Sequence, residues 1–167
     1  MLICAAAGAL AGGLLLAGVR GPRRDVATDI DIAASPERVW AVLTDMASYP
    51  AWNPFIRQMT GSLRAGGRLT IRLAAGGTDA PRDQMVFSPH VIAVRPPRRL
   101  QWIGRLWGLP GLFTGEHVFI LHPTDHGTRL EQNERFSGLL LWVYDVNPLH
   151  AAFQRMNAAL KAEAERP

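Results

Sequence analysis

His117 and Glu134 are the residues whose types and spacing carry the sharpest chemistry in this chain. They lie in residues 115–138, which read G-E-H-V-F-I-L-H-P-T-D-H-G-T-R-L-E-Q-N-E-R-F-S-G. A carboxylate beside an imidazole orients the ring and prepares it as a general base, able to take a proton next to a carbonyl. Two other readings use the same pair. Two polar residues in a half-buried sheet can satisfy each other, with or without a water. They can also orient the head group of an amphiphile, because apolar pockets carry few polar points.

The elements around the pair decide whether the two side chains meet. Residues 115–138 read as two strands around a turn at Thr124, Asp125, His126 and Gly127. Alternate residues of a strand point to opposite faces. A loop with glycine at its last position pairs Pro123 with Thr128. Leu121 then faces Leu130, Phe119 faces Gln132, His117 faces Glu134 and Gly115 faces Phe136. The reverse face receives Glu116 with Arg135 and His122 with Arg129. One face is therefore apolar apart from a His–Glu pair and a glutamine, and the other is charged. A register shifted by one residue would mix the two faces. Phe136 opposite Gly115 fits an aromatic ring covering a bare glycine.

Other chemistries have no motif here. There is no G-x-S-x-G, phosphate loop, dinucleotide fingerprint or H-E-x-x-H. One cysteine, Cys4, allows neither an intrachain disulfide nor a thiolate metal cluster. His122 and His126 straddle the turn and read as solvated residues, not metal ligands. His90 and His150 have no partner identifiable in the sequence. No metal and no cofactor is expected.

The isoelectric point near 10.2 suggests nucleic acid at first sight, but the charge distribution excludes it. Arg20, Arg23 and Arg24 precede the first acid, Asp25. The remaining fifteen of the 18 Lys and Arg face 14 Asp and Glu. A near-neutral domain without a basic run is a poor phosphate binder. Residues 2–19 contain no charge. Eighteen helical residues span about 27 Å, close to the roughly 30 Å hydrocarbon core. The basic residues follow this apolar run, which by the positive-inside rule holds the rest of the chain on the cytoplasmic side. The expected organisation is an N-terminal membrane anchor with a basic linker over residues 1–24, and one domain over 25–167. A cleaved export signal, or a misassigned start that adds a disordered tail to a soluble protein, is the alternative.

The 167 residues are 48% hydrophobic, enough for one domain with a sizeable core. Residues 28–33 alternate as a strand. Ser35-Pro36-Glu37 starts a helix, with serine as N-cap, proline at the first position and an acid in the first turn. A second short helix ends in Trp52-Asn53-Pro54-Phe55, which reads as a lip over a cavity or as a rigid turn. Strands are predicted over 55–63, 68–73, 84–95 and 99–107, with a loop at 75–81. On the last of these strands Leu100, Trp102, Gly104 and Leu106 share a face, and Gly104 would leave room. Asn147-Pro148 repeats the cap-plus-proline start. Leu149, Phe153, Met156 and Leu160 then make the apolar stripe of a helix over 149–163. Trp142 and Tyr144 are expected under that helix; contact with a membrane interface is the other reading. One long helix is the only element available to cover an antiparallel sheet, and a cavity between them is expected.

The patterns S-P-E-R-V-W (35–40), D-M-A-S-Y-P-A-W-N-P-F (45–55), R-R-L-Q-W (98–102), G-E-H-V-F (115–119), G-T-R-L (127–130) and E-R-F-S-G (134–138) resemble the SRPBCC superfamily. The similarity is to its START-like polyketide cyclase/dehydrase and lipid transport group, and it covers about residues 28–163. It implies an α+β helix-grip fold: a curved antiparallel sheet of about seven strands around a long C-terminal helix, with an internal cavity. It also implies a hydrophobic ligand, without selecting one. The expected cavity lining is Trp102, Leu106, Phe119, Leu121, Leu130 and Phe136 from the sheet, with Phe153 and Met156 from the helix. His117, Glu134 and Gln132 would fix a polar end.

The expected function is therefore a membrane-tethered domain that binds a hydrophobic small molecule or lipid without altering it. The rival is a cofactor-independent cyclase or dehydratase with His117 as base and Glu134 as its partner. A third reading is an interaction module whose cavity its own side chains fill.

Overall fold

The computed structural model describes residues 21–74 and 84–167. The apolar segment 2–19 and the whole of the loop expected at 75–81 lie outside the described residues. No helix among the described residues is long and apolar enough to cross a membrane.

Strand β1 (Arg23–Ile32) leads into helix α1 (Pro36–Thr44) and the single turn α2 (Tyr49–Trp52). Strands β2 (Ile56–Gly61), β3 (Leu69–Ala74), β4 (Gln84–Phe87), β5 (His90–Arg95), β6 (Arg99–Arg105), β7 (Thr114–Thr124) and β8 (Gly127–Ser137) follow. Helix α3 (Pro148–Ala164) completes the fold. All pairings are antiparallel, in a five-stranded sheet β1-β8-β7-β6-β5 and a three-stranded sheet β2-β3-β4. The sheets meet at a corner, where Leu69 N–H donates to Pro89 O (3.0 Å) and Val91 N–H to Gly67 O (2.8 Å).

The local signals mostly act as expected. The Ser35 hydroxyl accepts from Arg38 N–H at 3.3 Å. Leu69 and Ile71 are buried on one face of β3 while Thr70 and Arg72 are exposed. Phe153, Met156 and Leu160 form the fully buried stripe of α3. Tyr49 is fully buried, its hydroxyl donating to Leu43 O at 2.7 Å, and burial pushes its pKa well above the usual phenol range. Asn53 Oδ1 accepts from both Phe55 N–H (2.9 Å) and Ile56 N–H (2.8 Å). Residues 52–55 therefore form a rigid turn.

Five expectations need correction. β1 begins at Arg23, so Arg23 and Arg24 are strand residues paired with β8. The strand expected over 84–95 is two strands, because Pro89 has no N–H to continue a ladder. β6 stops at Arg105, and Leu106 begins a short 3-10 turn with Trp107 and Gly108. Leu106 therefore does not continue the face that carries Trp102. Asn147 makes no side-chain cap to α3; its own N–H is held by Asp145 Oδ1 at 2.9 Å. Trp142 and Tyr144 are not buried under α3 but exposed beyond its start.

Candidate functional site

The β7–β8 ladder runs from Thr114↔Ser137 to Thr124↔Gly127, in the predicted register: Leu121↔Leu130, Phe119↔Gln132, His117↔Glu134 and Gly115↔Phe136. The reverse face carries Glu116↔Arg135 and His122↔Arg129. Only glycine suits position 127, since its φ is +140° and a Cβ there would run into Ile32 O. At Gly115 a Cβ would lie 3.3 Å from the Phe136 ring, so the bare backbone makes room for that ring. The room at Gly104 is taken by Phe87.

Register brings the polar residues onto two adjacent rungs. His117 Nδ1 lies 3.0 Å from Glu134 Oε2. Gln132 Nε2 lies 3.2 Å from His117 Nε2 and 3.7 Å from Met156 Sδ. An amide nitrogen can only donate, so His117 Nε2 accepts and the ring proton sits on Nδ1, donated to Glu134. His117 is 3% exposed and Gln132 fully buried, while the Glu134 side chain keeps 17% exposure. Trp102, opposite His117 on β6, stacks on the imidazole with centroids 4.9 Å apart and planes 11° off parallel. Phe119 (4.6 Å) and Phe153 (5.1 Å) complete an aromatic surround.

Two residues that the sequence did not single out join this layer. Thr28, on β1 opposite Gln132, donates to Gln132 O at 3.3 Å. Asn157 of α3 donates from Nδ2 to Thr28 Oγ1 at 2.9 Å. Gln132 Oε1 and Asn157 Oδ1 are both buried with no hydrogen-bond partner among the described residues. The signal for Asn157 is present in the sequence: it stands four residues after Phe153, inside the apolar stripe. An unpartnered buried acceptor costs about 1–3 kcal/mol.

The structure thus gathers Trp102, His117, Phe119, Gln132, Glu134, Phe153 and Met156. Leu121 and Leu130 sit fully buried further along the same face. Phe136 belongs to a second cluster with Val26, Leu141, Val146 and Phe153. Leu106 is not brought to the site. Ring and sulfur contacts fill the space between His117 and α3, so a ligand there must displace side chains. The other face of the sheet carries a groove of about 300 Å³, lined by Arg99, Gln101, Glu116, Asn133 and Arg135 among others. Its polar groups pair mutually: Arg99 Nε donates to Gln101 Oε1 (3.0 Å), and Gln101 Nε2 to Glu116.

Of the other histidines, His90 meets Arg68 at 3.3 Å and His122 meets Glu131 at 3.3 Å, at exposed positions. No three His, Cys, Asp or Glu side chains form a metal-binding group among the described residues.

The family described as polyketide cyclase / dehydrase and lipid transport matches residues 23–165. The chain belongs to that family. Solved structures share its fold. A START superfamily protein from Mycobacterium smegmatis, 18% identical, aligns with a TM-score of 0.65 over 84% of this chain and 97% of its own. An AHSA1-like protein from Aeromonas hydrophila is 19% identical, with a TM-score of 0.62 over 85% and 92%. The di-domain ARO/CYC BexL from the BE-7585A biosynthetic pathway is 14% identical, with a TM-score of 0.69 over 91% of this chain and 54% of its own. At these identities the likeness establishes the fold, which is the SRPBCC-type α+β helix grip. No curated protein sequence matches the chain.

Proposed function

We propose that this member of the polyketide cyclase/dehydrase and lipid transport family binds a hydrophobic small molecule or lipid without altering it. Residues 2–19 would hold it at a membrane with the domain on the cytoplasmic side. One observation carries the binding reading: a buried polar rung in an aromatic surround, with Gln132 Oε1 left without a partner among the described residues. A ligand hydroxyl or amide placed there would satisfy that acceptor, while desolvation of its apolar body supplies most of the affinity. Motion of Phe153 and Met156 on α3 would admit it.

The second reading is a cyclase or dehydratase with His117 as base. The family description and the ARO/CYC relatives favour it. The hydrogen bonds weigh against it: with its proton on Nδ1, the ring's basic nitrogen Nε2 already accepts from Gln132. Proton abstraction would first require Gln132 to turn away.

Native mass spectrometry of residues 21–167, purified without detergent, tests the binding reading, since both apolar clusters lie within that span. A co-purifying apolar molecule is expected. A protein that is empty and takes up neither lipid nor aromatic polyketide would refute it. His117→Ala separates the two readings: it weakens binding modestly for a carrier and abolishes turnover for an enzyme.

A further inference from the structure

One end of the sheet exposes large apolar side chains that the fold does not use. Trp107 is 81% exposed, Trp142 76% and Val143 85%, with Leu109 and Tyr144 about half exposed. They come from two loops fastened together: Leu139 N–H donates to Gly111 O (3.0 Å) and Leu140 N–H to Leu112 O (3.1 Å). The Phe113 and Tyr144 rings meet edge to face at 5.7 Å. Trp107 holds a φ of +51°, a left-handed backbone that bulky residues rarely adopt. Such exposure is costly for a surface that stays in water, and clustered tryptophan and tyrosine suit a boundary with one apolar and one wet side.

Three features say what covers this end. First, the chain arrives there from the apolar segment: Gly138 N–H donates to Pro22 O at 3.4 Å, and residues 2–19, uncharged, lie directly upstream. Second, arginines gather on the same edge. Arg23 pairs with Ser137, Ser137 with Thr114, and Thr114 with Arg105, one row across the sheet. Arg24 follows, and Arg20 precedes in sequence. The nearest acid in the loops, Asp145, is occupied with Asn147 N–H. Third, rings lead inward from the patch. Tyr144 touches Phe113, and Phe113 touches Phe136 at 5.5 Å. Phe136 clusters with Phe153, which touches His117.

We infer that Trp107, Leu109, Trp142, Val143 and Tyr144 dock on an anionic lipid bilayer, and that the ligand passes between bilayer and His117 along this row of rings. Interfacial indoles sit at headgroup depth, and each arginine near an anionic surface adds attraction. The inference rests on the membrane-held reading above and adds the face that meets the lipid.

The test uses the full chain on vesicles of phosphatidylcholine and phosphatidylglycerol, with bromine on the acyl chains as a contact quencher of tryptophan. Flotation reports binding separately. The wild-type protein floats, and brominated lipid quenches a component of its emission. W107S/W142S still floats and has lost that component. On phosphatidylcholine alone the component weakens several-fold. Both substituted side chains are exposed, so thermal unfolding of the variant stays close to wild type. A protein that floats with no quenching dependent on Trp107 and Trp142 overturns the docking face and leaves the membrane reading standing. A protein that does not float overturns both. Equal quenching on both lipids overturns the assignment to anionic surfaces. Iodide protection of Trp107 without vesicles, from a second copy or from residues 2–19, also overturns the docking face.

Discussion

Replacing His117 by Phe and Gln132 by Leu, singly and together, separates a rung that serves a ligand from one that serves the fold. Phenylalanine keeps the ring contacts that His117 makes with Trp102 at 4.9 Å and Phe153 at 5.1 Å. H117F takes the acceptor from Gln132 Nε2, which is fully buried and keeps only the long contact to Met156. The stranded donor costs about 1–3 kcal/mol. Q132L strands His117 Nε2 at a similar cost, but also removes the unpartnered Oε1. In the double variant both halves of the bond are gone and the orphan acceptor with them. Glu134 loses its imidazole but, at 17% exposure, stays hydrated. Replacing both partners by apolar groups of similar shape is close to neutral. The ligand-free double variant should therefore unfold within about 1 kcal/mol of wild type, a midpoint shift of roughly 3 °C. H117F should fall furthest, while Q132L, which exchanges one stranded acceptor for another, stays nearer to wild type; recovery in the double variant of what H117F loses gives a coupling energy of about 1–3 kcal/mol. Ligand occupancy in the double variant should drop at least about tenfold. Scanning calorimetry of delipidated protein, with native mass spectrometry of loaded protein, measures both. Additive losses in the double variant, or undiminished ligand, would refute the reasoning.

Two further outcomes follow from single side chains. Gly115→Val should destabilise by about 1–3 kcal/mol, since its Cβ would press on the Phe136 ring and on Glu134 Oε1; NMR should show His117 shifts moving with it. Glu165→Gln should flatten the acid limb of the stability curve. The bond to Lys161, then that to Ala33 N–H, hold the Glu165 carboxyl below its ordinary 4.5. A depressed folded-state pKa adds stability above the unfolded value that is lost as pH falls through the folded one. Urea unfolding below pH 4.5 should therefore depend less on pH in the variant, and an unchanged slope would discount this pair.

How much of this was legible depended on whether a signal was local. The β7–β8 register followed from alternation and one glycine, because a one-residue slip would have put His117 on the opposite face from Gln132 and Glu134. The α3 stripe followed from helical spacing alone. The break between β4 and β5 has a local signal, Pro89, set in an apolar run that reads as one strand. Leu106 was misplaced because alternation continues on paper after Arg105, where the backbone turns into a 3-10 bend. Thr28 and Asn157 were missed because their partners are far away in sequence: the Thr28–Gln132 bond spans 104 residues. For Trp142 and Tyr144 the sequence leaves burial under α3 and contact with a membrane interface both open, because hydrophobicity does not distinguish a buried ring from one facing another phase.

That same separation has a consequence for how the chain is made. Among the described residues β1 is the first strand and its only strand partner is β8, the last. At ordinary translation speeds, β1 leaves the ribosome on the order of ten seconds before the strand that will pair with it. During that wait it is an open template for foreign strands, and in the finished sheet it is an edge strand, with Lys161 Nζ donating to Asp31 O at 2.7 Å. Asp25, Asp29 and Asp31 stand at alternate or near-alternate positions along it. Their charges repel any second strand that would add there, including another copy of β1. Once β8 arrives, Arg135 and Arg129 meet Asp25 and Asp29 at 3.1 and 2.8 Å. The acids that guard the nascent strand then mark its proper neighbour.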